Sequence, residues 1–174
     1  MPWSPKARSF WPIVLTLLIA DCTTKELAET YLVPEHTPHE VAGSIVRFTL
    51  AHNPGAAMSL SLGRYSRVGF TLAALLALLV LAHFYRSTPA TDRRRAAALA
   101  FVVGGAIGNL LNRLASPRGV TDFIDIGVRS WRFWTFNLAD AGITIGAALL
   151  LVGVYRDRSG GDVEQGTDTT ASTV

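Results

Sequence analysis

Four long apolar segments constrain this chain more than any other feature of its sequence. They cover residues 10–31, 67–86, 95–115 and 134–155. Each is close to the about 20 residues that an α-helix needs to cross a hydrocarbon core of about 30 Å. The connections are too short for a second folded unit, so we predict one all-α membrane domain over residues 1–155, built as a four-transmembrane-helix bundle. The polar, Gly- and Thr-rich remainder, 156–174, predicts a disordered cytoplasmic tail.

Basic residues predict the orientation of this bundle. They cluster before the first segment, between the second and third, and after the fourth, which is one side of a four-pass topology. Such clusters mark the cytoplasmic side of a membrane protein. Both termini are therefore expected in the cytoplasm. The clusters consist of Lys6, Arg8, Arg86, Arg93, Arg94, Arg95, Arg156 and Arg158.

Polar residues of the first and third segments lie near the outer membrane surface in this topology. Asp21 and Lys25 are four residues apart with the acid first, which is the order that favours an ion pair along a helix. One face of the third segment carries Gly105, Asn109 and either Asn112 or Arg113. The glycine allows another backbone to come close, and the polar groups can hydrogen-bond between helices. Both features have a simple structural interpretation, because paired charges in a membrane neutralise each other.

Two carboxylates do not fit a purely structural interpretation. Asp140 shares a face with Asn137 in the first turns of the fourth segment, and Asp122 lies shortly before it in the apolar stretch VTDFID. A charge within a membrane helix costs about 2.5–3.5 kcal/mol on insertion scales. Two carboxylates close together in a poorly solvated site share one proton, which is the arrangement that aspartic proteases use to activate water. On these residues alone, a protease and a proton-relaying small transporter remain equally open.

Two loops on the predicted outer side carry strand-like patterns. SIVRFTLAHN (44–53) alternates apolar and polar residues and suggests a strand ending at His52. AAMSLSL (56–62) could return as a second strand or lie at the interface, and GVTDFIDIG (119–127) could form another. We therefore expect a small extracytoplasmic β-rich cradle above the helices. The loop histidines lack the spacing of a metal site.

Five motifs, in this order, resemble those of the lipoprotein signal peptidases, the bacterial signal peptidase II family. They are DCTTK (21–25), NPGAAMS (53–59), GGAIGNLLNR (104–113), VTDFID (120–125) and FNLAD (136–140). Each motif alone is a weak signal. Five of them in order, with a matching topology and length, form a specific signature that runs from about residue 10 to 155.

The resemblance implies an aspartic endopeptidase of the bacterial inner membrane that removes signal peptides from prolipoproteins. It would cut before a diacylglyceryl-modified cysteine, near the extracytoplasmic face. Asp122 and Asp140 would be the catalytic pair, and Asp125 a bystander. Other residues would line the site: Asn53, Gly55, Asn109, Arg113 and Asn137. Supporting positions would be Asp21, Lys25 and Gly105. The implied protein is a monomer that contacts membrane lipid, with no cofactor, metal or nucleic acid partner.

Two positions depart from the family pattern. Asn112 stands where the family usually has aspartate before the arginine, so a salt bridge to Arg113 is expected to be missing or weakened. Met58 replaces the usual aromatic residue, and Pro54 stiffens the turn. These departures affect the expected substrate fit rather than the carboxylate pair. Of the competing interpretations, a transporter lacks support from any internal repeat, and an inactive scaffold leaves the buried carboxylates unexplained.

Overall fold

Four long helices occupy the four apolar segments. The structure is a computed structural model that describes residues 3–55 and 63–167, with only the backbone described at residue 64 and at 157–167. The helices are α1 Pro5–Tyr31, α2 Ser66–Ser87, α3 Arg93–Ala115 and α4 Leu138–Thr167. Local sequence fixes two of the starts, because Ser4 and Asp92 accept hydrogen bonds from backbone N–H groups in the first turns of α1 and α3.

Three helices in the described part of the chain are long and apolar enough to cross a membrane. These are α2, α3 and the part of α4 from Leu138 to Arg156. Helix α1 is long enough at 27 residues, but buries Asp21 and Lys25 in its second half. A mostly helical membrane architecture is therefore confirmed, whereas the count of four spans stays a prediction.

Helix α3 lies at the centre of the bundle and contacts the other three helices. Its apolar stretch around Leu99 packs on α1 at Phe10 and Val14. The approach of α4 is closer still, because a Cβ atom at Gly105 would meet the carbonyl oxygen of Ala139. The predicted role of Gly105, to admit a second backbone, is thereby confirmed.

A four-stranded antiparallel sheet packs against α1 and α3 through its strand Val120–Val128. Its strands, in spatial order, are β1 His39–Ala42, β2 Val46–Asn53, β3 Val120–Val128 and β4 Trp131–Arg132. The predictions of β2 and β3 are confirmed, whereas β1 and β4 were not predicted. The strand suggested for 56–62 lies outside the described residues. A small core of Ala28, Leu50 and Phe123 joins α1 to the sheet.

The predicted domain boundary falls inside α4, which continues past residue 155 to Thr167. Residues 168–174 lie outside the described part of the chain. The division into a domain over 1–155 and a tail over 156–174 stays a prediction.

Candidate active site

Asn137 joins the two carboxylates that the sequence singled out. Asp122 comes from β3 and Asp140 from the first turn of α4. The Asn137 side chain donates from Nδ2 to Asp122 Oδ1 at 2.7 Å, and its backbone N–H donates to Asp140 Oδ2 at 3.2 Å. Asn137 Oδ1 in turn accepts the backbone N–H of Asp140 at 3.0 Å. One fully buried asparagine therefore holds both carboxylates within reach of each other.

Burial changes the acidity of Asp122, which is only 4% exposed. Loss of water around the carboxylate, followed by the nearby charge of Asp140, raises the pKa of Asp122 to about 7. Hydrogen bonds from Asn137 and Asn53 and the charge of Lys25 act in the opposite direction. Near neutral pH, Asp122 can therefore both hold and release a proton, as a general acid–base group must.

A chain of polar contacts holds Asp140 from the other side. Asn109 on α3 donates from Nδ2 to Asp140 Oδ1 at 2.7 Å, and its Oδ1 accepts from Lys25 Nζ at 2.8 Å. Lys25 also pairs with Asp21 at 2.8 Å, so the predicted ion pair is confirmed. Asp21 Oδ1 accepts the backbone N–H of Ala139, the residue before Asp140, at 2.9 Å. Because Ala139 and Asp140 are consecutive, these contacts form a closed ring that links α1, α3 and α4.

Asn53, Gly55 and Arg113 meet at the end of β2. Asn53 Oδ1 accepts the N–H of Gly55 at 3.0 Å, which folds the chain into a tight turn. Arg113 Nη2 donates to the carbonyl oxygen of Gly55 at 2.9 Å. Arg113 is buried, and its Nε has no hydrogen-bond partner among the described residues. The carboxylates of Asp122 and Asp140 are near enough for their charges to act on the Arg113 guanidinium.

Asn112 contacts the backbone of β3. Its Oδ1 accepts the N–H of Thr121 at 2.6 Å. A carboxylate at this position could accept the same bond, so the departure from the family pattern keeps this contact. Met58, the second departure, lies outside the described residues.

Three residues at the site were missed from the sequence. Gly119 has a φ of +106°, and a Cβ there would strike the carbonyl oxygen of Asn53. Thr121 and Glu29 share a hydrogen bond of 2.7 Å from Oγ1 to Oε1. The spacing offered a signal for Glu29, because it follows Asp21 and Lys25 at intervals of four on one helical face.

The side chain of Asp125 hydrogen-bonds to residues outside the carboxylate pair. Its Oδ1 accepts from Arg132 Nε at 2.6 Å, and its Oδ2 accepts from Thr49 Oγ1 at 3.3 Å. An ion pair with Arg132 therefore occupies this carboxylate. The prediction that Asp125 does not take part in catalysis stays a prediction, and these contacts agree with it.

A pocket of about 330 Å³ opens beside Asp140. Apart from Asp140 and Thr144, its lining is apolar. The pocket thus places one carboxylate at the edge of a surface suited to hydrocarbon or to apolar side chains. Its lining residues are Phe133, Phe136, Asp140, Ala141, Thr144 and Ile145.

Comparison with known proteins points to one family. The family model described as "Signal peptidase (SPase) II" matches residues 13–156. The chain is 34% identical over 149 residues to "Lipoprotein signal peptidase" of Hydrogenovibrio crunogenus, covering 82% of this chain and 83% of the relative. It is 38% identical over 164 residues to the protein of that name from an Anaeromyxobacter strain, covering 84% and 74%.

A solved structure has a similar fold. It is described as a bacterial membrane enzyme structure obtained by the in meso method at 2.3 Å resolution. The similarity has a TM-score of 0.77 at 26% sequence identity and covers 85% of this chain and 88% of the solved one.

Proposed function

Because this chain belongs to the signal peptidase II family, we propose that it is an aspartic endopeptidase that cleaves signal peptides from diacylglyceryl-modified prolipoproteins. Asp122 and Asp140 are the catalytic pair in this proposal. The observation that carries it is the bridge through Asn137, which donates one hydrogen bond to each carboxylate. Such a bridge holds the two acids together, as the activation of one water molecule by both of them requires.

The proposed reaction assigns a different role to each carboxylate. Asp140 accepts hydrogen bonds from Asn109 and Asn137, which hold its carboxylate in place, and it takes a proton from the attacking water. Asp122, with its raised pKa of about 7, carries the shared proton and donates it to the carbonyl oxygen of the scissile bond. Collapse of the tetrahedral intermediate breaks the C–N bond, and the leaving amine receives the proton that Asp140 took from water. One hydroxyl of the intermediate returns its proton to Asp122, which restores the starting state of the pair.

Two further features suit a peptide substrate with a lipid anchor. The buried Arg113 Nε has no hydrogen-bond partner in the part of the chain that the structure describes, and together with Asn53 it can hold the substrate backbone. The apolar pocket beside Asp140 can accept hydrocarbon. In this proposal the signal helix and acyl chains stay in the bilayer of the inner membrane. The site lies at its extracytoplasmic face, both termini are cytoplasmic, and the protein acts as a monomer.

The test is cleavage by the purified protein in detergent. One sample contains a prolipoprotein whose cysteine carries diacylglycerol, and the matched sample contains the same precursor without lipid. We expect cleavage before the cysteine in the lipidated sample only. Equal cleavage of both would contradict the proposed substrate. No cleavage of either, together with proton flux in vesicles, would instead favour the transporter interpretation.

A further inference from the structure

Glu29 binds three donors at the outer end of α1. Its Oε1 accepts from Thr121 Oγ1 at 2.7 Å and lies 2.6 Å from His52 Nε2. Its Oε2 accepts from Arg118 Nη2 at 2.7 Å. These donors come from β3, from β2 and from the turn between α3 and β3. A single carboxylate therefore ties three separate parts of the chain to α1.

Two of these donors directly precede residues of the proposed active site. Thr121 is followed by Asp122, and His52 is followed by Asn53. His52 and Thr121 are also paired across β2 and β3. Glu29 thus bonds to both strands at one pair of facing residues, His52 and Thr121. The next residue of each strand, Asn53 or Asp122, carries a polar side chain of the proposed site.

Other side chains fix the backbone of Thr121, but its hydroxyl depends on Glu29. Asn112 accepts the Thr121 N–H at 2.6 Å, and Asn137 donates to the Thr121 carbonyl oxygen at 3.3 Å. Thr121 is only 1% exposed, so its hydroxyl has no ready replacement in water for the bond to Glu29. A buried hydroxyl that loses its hydrogen-bond partner costs free energy. Without Glu29, a shift of β3 that brings the Thr121 hydroxyl to water is therefore favoured.

We propose that Glu29 is a positioning residue for the reaction, which sets the location of Asp122 through Thr121 and of Asn53 through His52. The inference rests on the proposed function. Glu29 does not touch either catalytic carboxylate in this proposal and acts only through its neighbours. Three donors converge on it, and a carboxylate can accept from all three. An amide would offer one accepting oxygen and turn an NH₂ group toward Arg118 or toward the other two donors.

The first test compares Glu29→Gln with Glu26→Gln in the cleavage assay. Glu26 lies on the same helix, is exposed and carries the same charge. A misplacement of about 1 Å can cost about 100-fold in rate, so a partial shift of Asp122 should lower kcat about tenfold. We expect a smaller rise in KM, through the displacement of Asn53, because the apolar pocket beside Asp140 is untouched. Glu26→Gln should match the wild type.

The second test asks whether Glu29 acts through Thr121. Residues that work through one contact have non-additive effects. Thr121→Val should also lower kcat. The double variant Glu29→Gln/Thr121→Val should have a kcat no lower than that of the slower single variant. Multiplicative losses in the double variant, or wild-type kcat in Glu29→Gln, would overturn the inference.

A third readout does not require cleavage. Amide hydrogen exchange at residues 120–123 should be faster in Glu29→Gln than in the wild type and unchanged in Glu26→Gln, while exchange in α3 stays the same. If the wild type cuts no precursor but this local change occurs, the proposed function fails and the control of β3 by Glu29 stands. If cleavage occurs and the exchange at 120–123 is unaltered, the positioning role is wrong.

Discussion

Asp21 on α1 accepts a hydrogen bond from the backbone N–H of Ala139, with 2.9 Å between Oδ1 and N. Ala139 lies in the first turn of α4, where backbone N–H groups have no partner within their own helix. A side chain of one helix thus caps another, next to Asp140. The other oxygen of Asp21 pairs with Lys25, so this cap is itself held in place. The position of the second proposed catalytic carboxylate is consequently set by α1.

Asp21→Asn should destabilise the protein and lower its activity. The ion pair with Lys25 is buried on both sides, and removal of the Asp21 charge leaves Lys25 without its ion-pair partner. Breaking a buried pair in this way costs about 3–5 kcal/mol. Chemical denaturation in detergent should show a free energy of unfolding lower by about this amount. Glu26→Gln, a charge loss at an exposed position of the same helix, is the control. Equal stability of the two variants would show that the pair contributes little.

Gly105→Ala should separate α3 from α4. A Cβ at this position would meet the carbonyl oxygen of Ala139 and lie 2.8 Å from Ile143 Cγ1. Overpacking of this kind costs about 1–3 kcal/mol, and the displacement of α4 would carry Asp140 with it. Gly153→Ala on α4 is a matched control, because a Cβ there has no atom within 4 Å.

The two glycine variants are compared by thermal unfolding and by cleavage rate. We expect Gly105→Ala to lose both stability and activity. Gly153→Ala should keep full activity and gain up to about 1 kcal/mol, since alanine favours a helix more than glycine does. Wild-type behaviour of both variants would contradict the close packing at Gly105.

Contacts within one segment could be predicted from the sequence, whereas the exact partners of contacts between segments could not. The pair of Asp21 and Lys25 follows from helical spacing, and the alternation in 44–53 predicted β2. The link from Asp21 to Ala139 joins residues 118 apart, and no local pattern indicates which backbone N–H a buried carboxylate will find. Glu29 and Thr121 are 92 apart for the same reason.

Asn137 illustrates a partial success of the sequence interpretation. Its shared face with Asp140 followed from their spacing of three, and the resemblance to a known family placed it at the site. Its bond to Asp122 depends on the path of β3 relative to α4, which the sequence leaves open. The strands β1 and β4 were missed because they are only four and two residues long, too short for a clear alternation.

The stability of the protein should fall as the pH rises from about 4 to about 7. Asp122 has a pKa raised from 3.8 to about 7, so the folded state binds a proton that the unfolded state has already released in this range. The stabilisation is full below the unfolded pKa and is lost as the pH passes the folded one. Its size is on the order of 4 kcal/mol, at about 1.4 kcal/mol per pKa unit.

Asp122→Asn should remove most of this pH dependence. Denaturation of both proteins at pH 5 and pH 8 measures the difference. The variant should be about as stable at both values, whereas the wild type should be weaker at pH 8. An equal slope in the two proteins would mean that another group is responsible.

Cleavage of the lipidated precursor by three aspartate variants tests the catalytic pair most directly. Asp122→Asn and Asp140→Asn each remove one carboxylate and keep its shape, and Asp125→Asn is the matched control on the same strand as Asp122. All three are compared at equal amounts of folded protein, because Asp125 has its own ion pair with Arg132. We predict that the first two variants lose at least about 1,000-fold in kcat, since removal of a central catalytic group typically costs this much or more. Asp125→Asn should stay within about threefold of the wild type. Substantial activity in folded Asp122→Asn or Asp140→Asn would contradict the proposal that these two residues share the work of activating water.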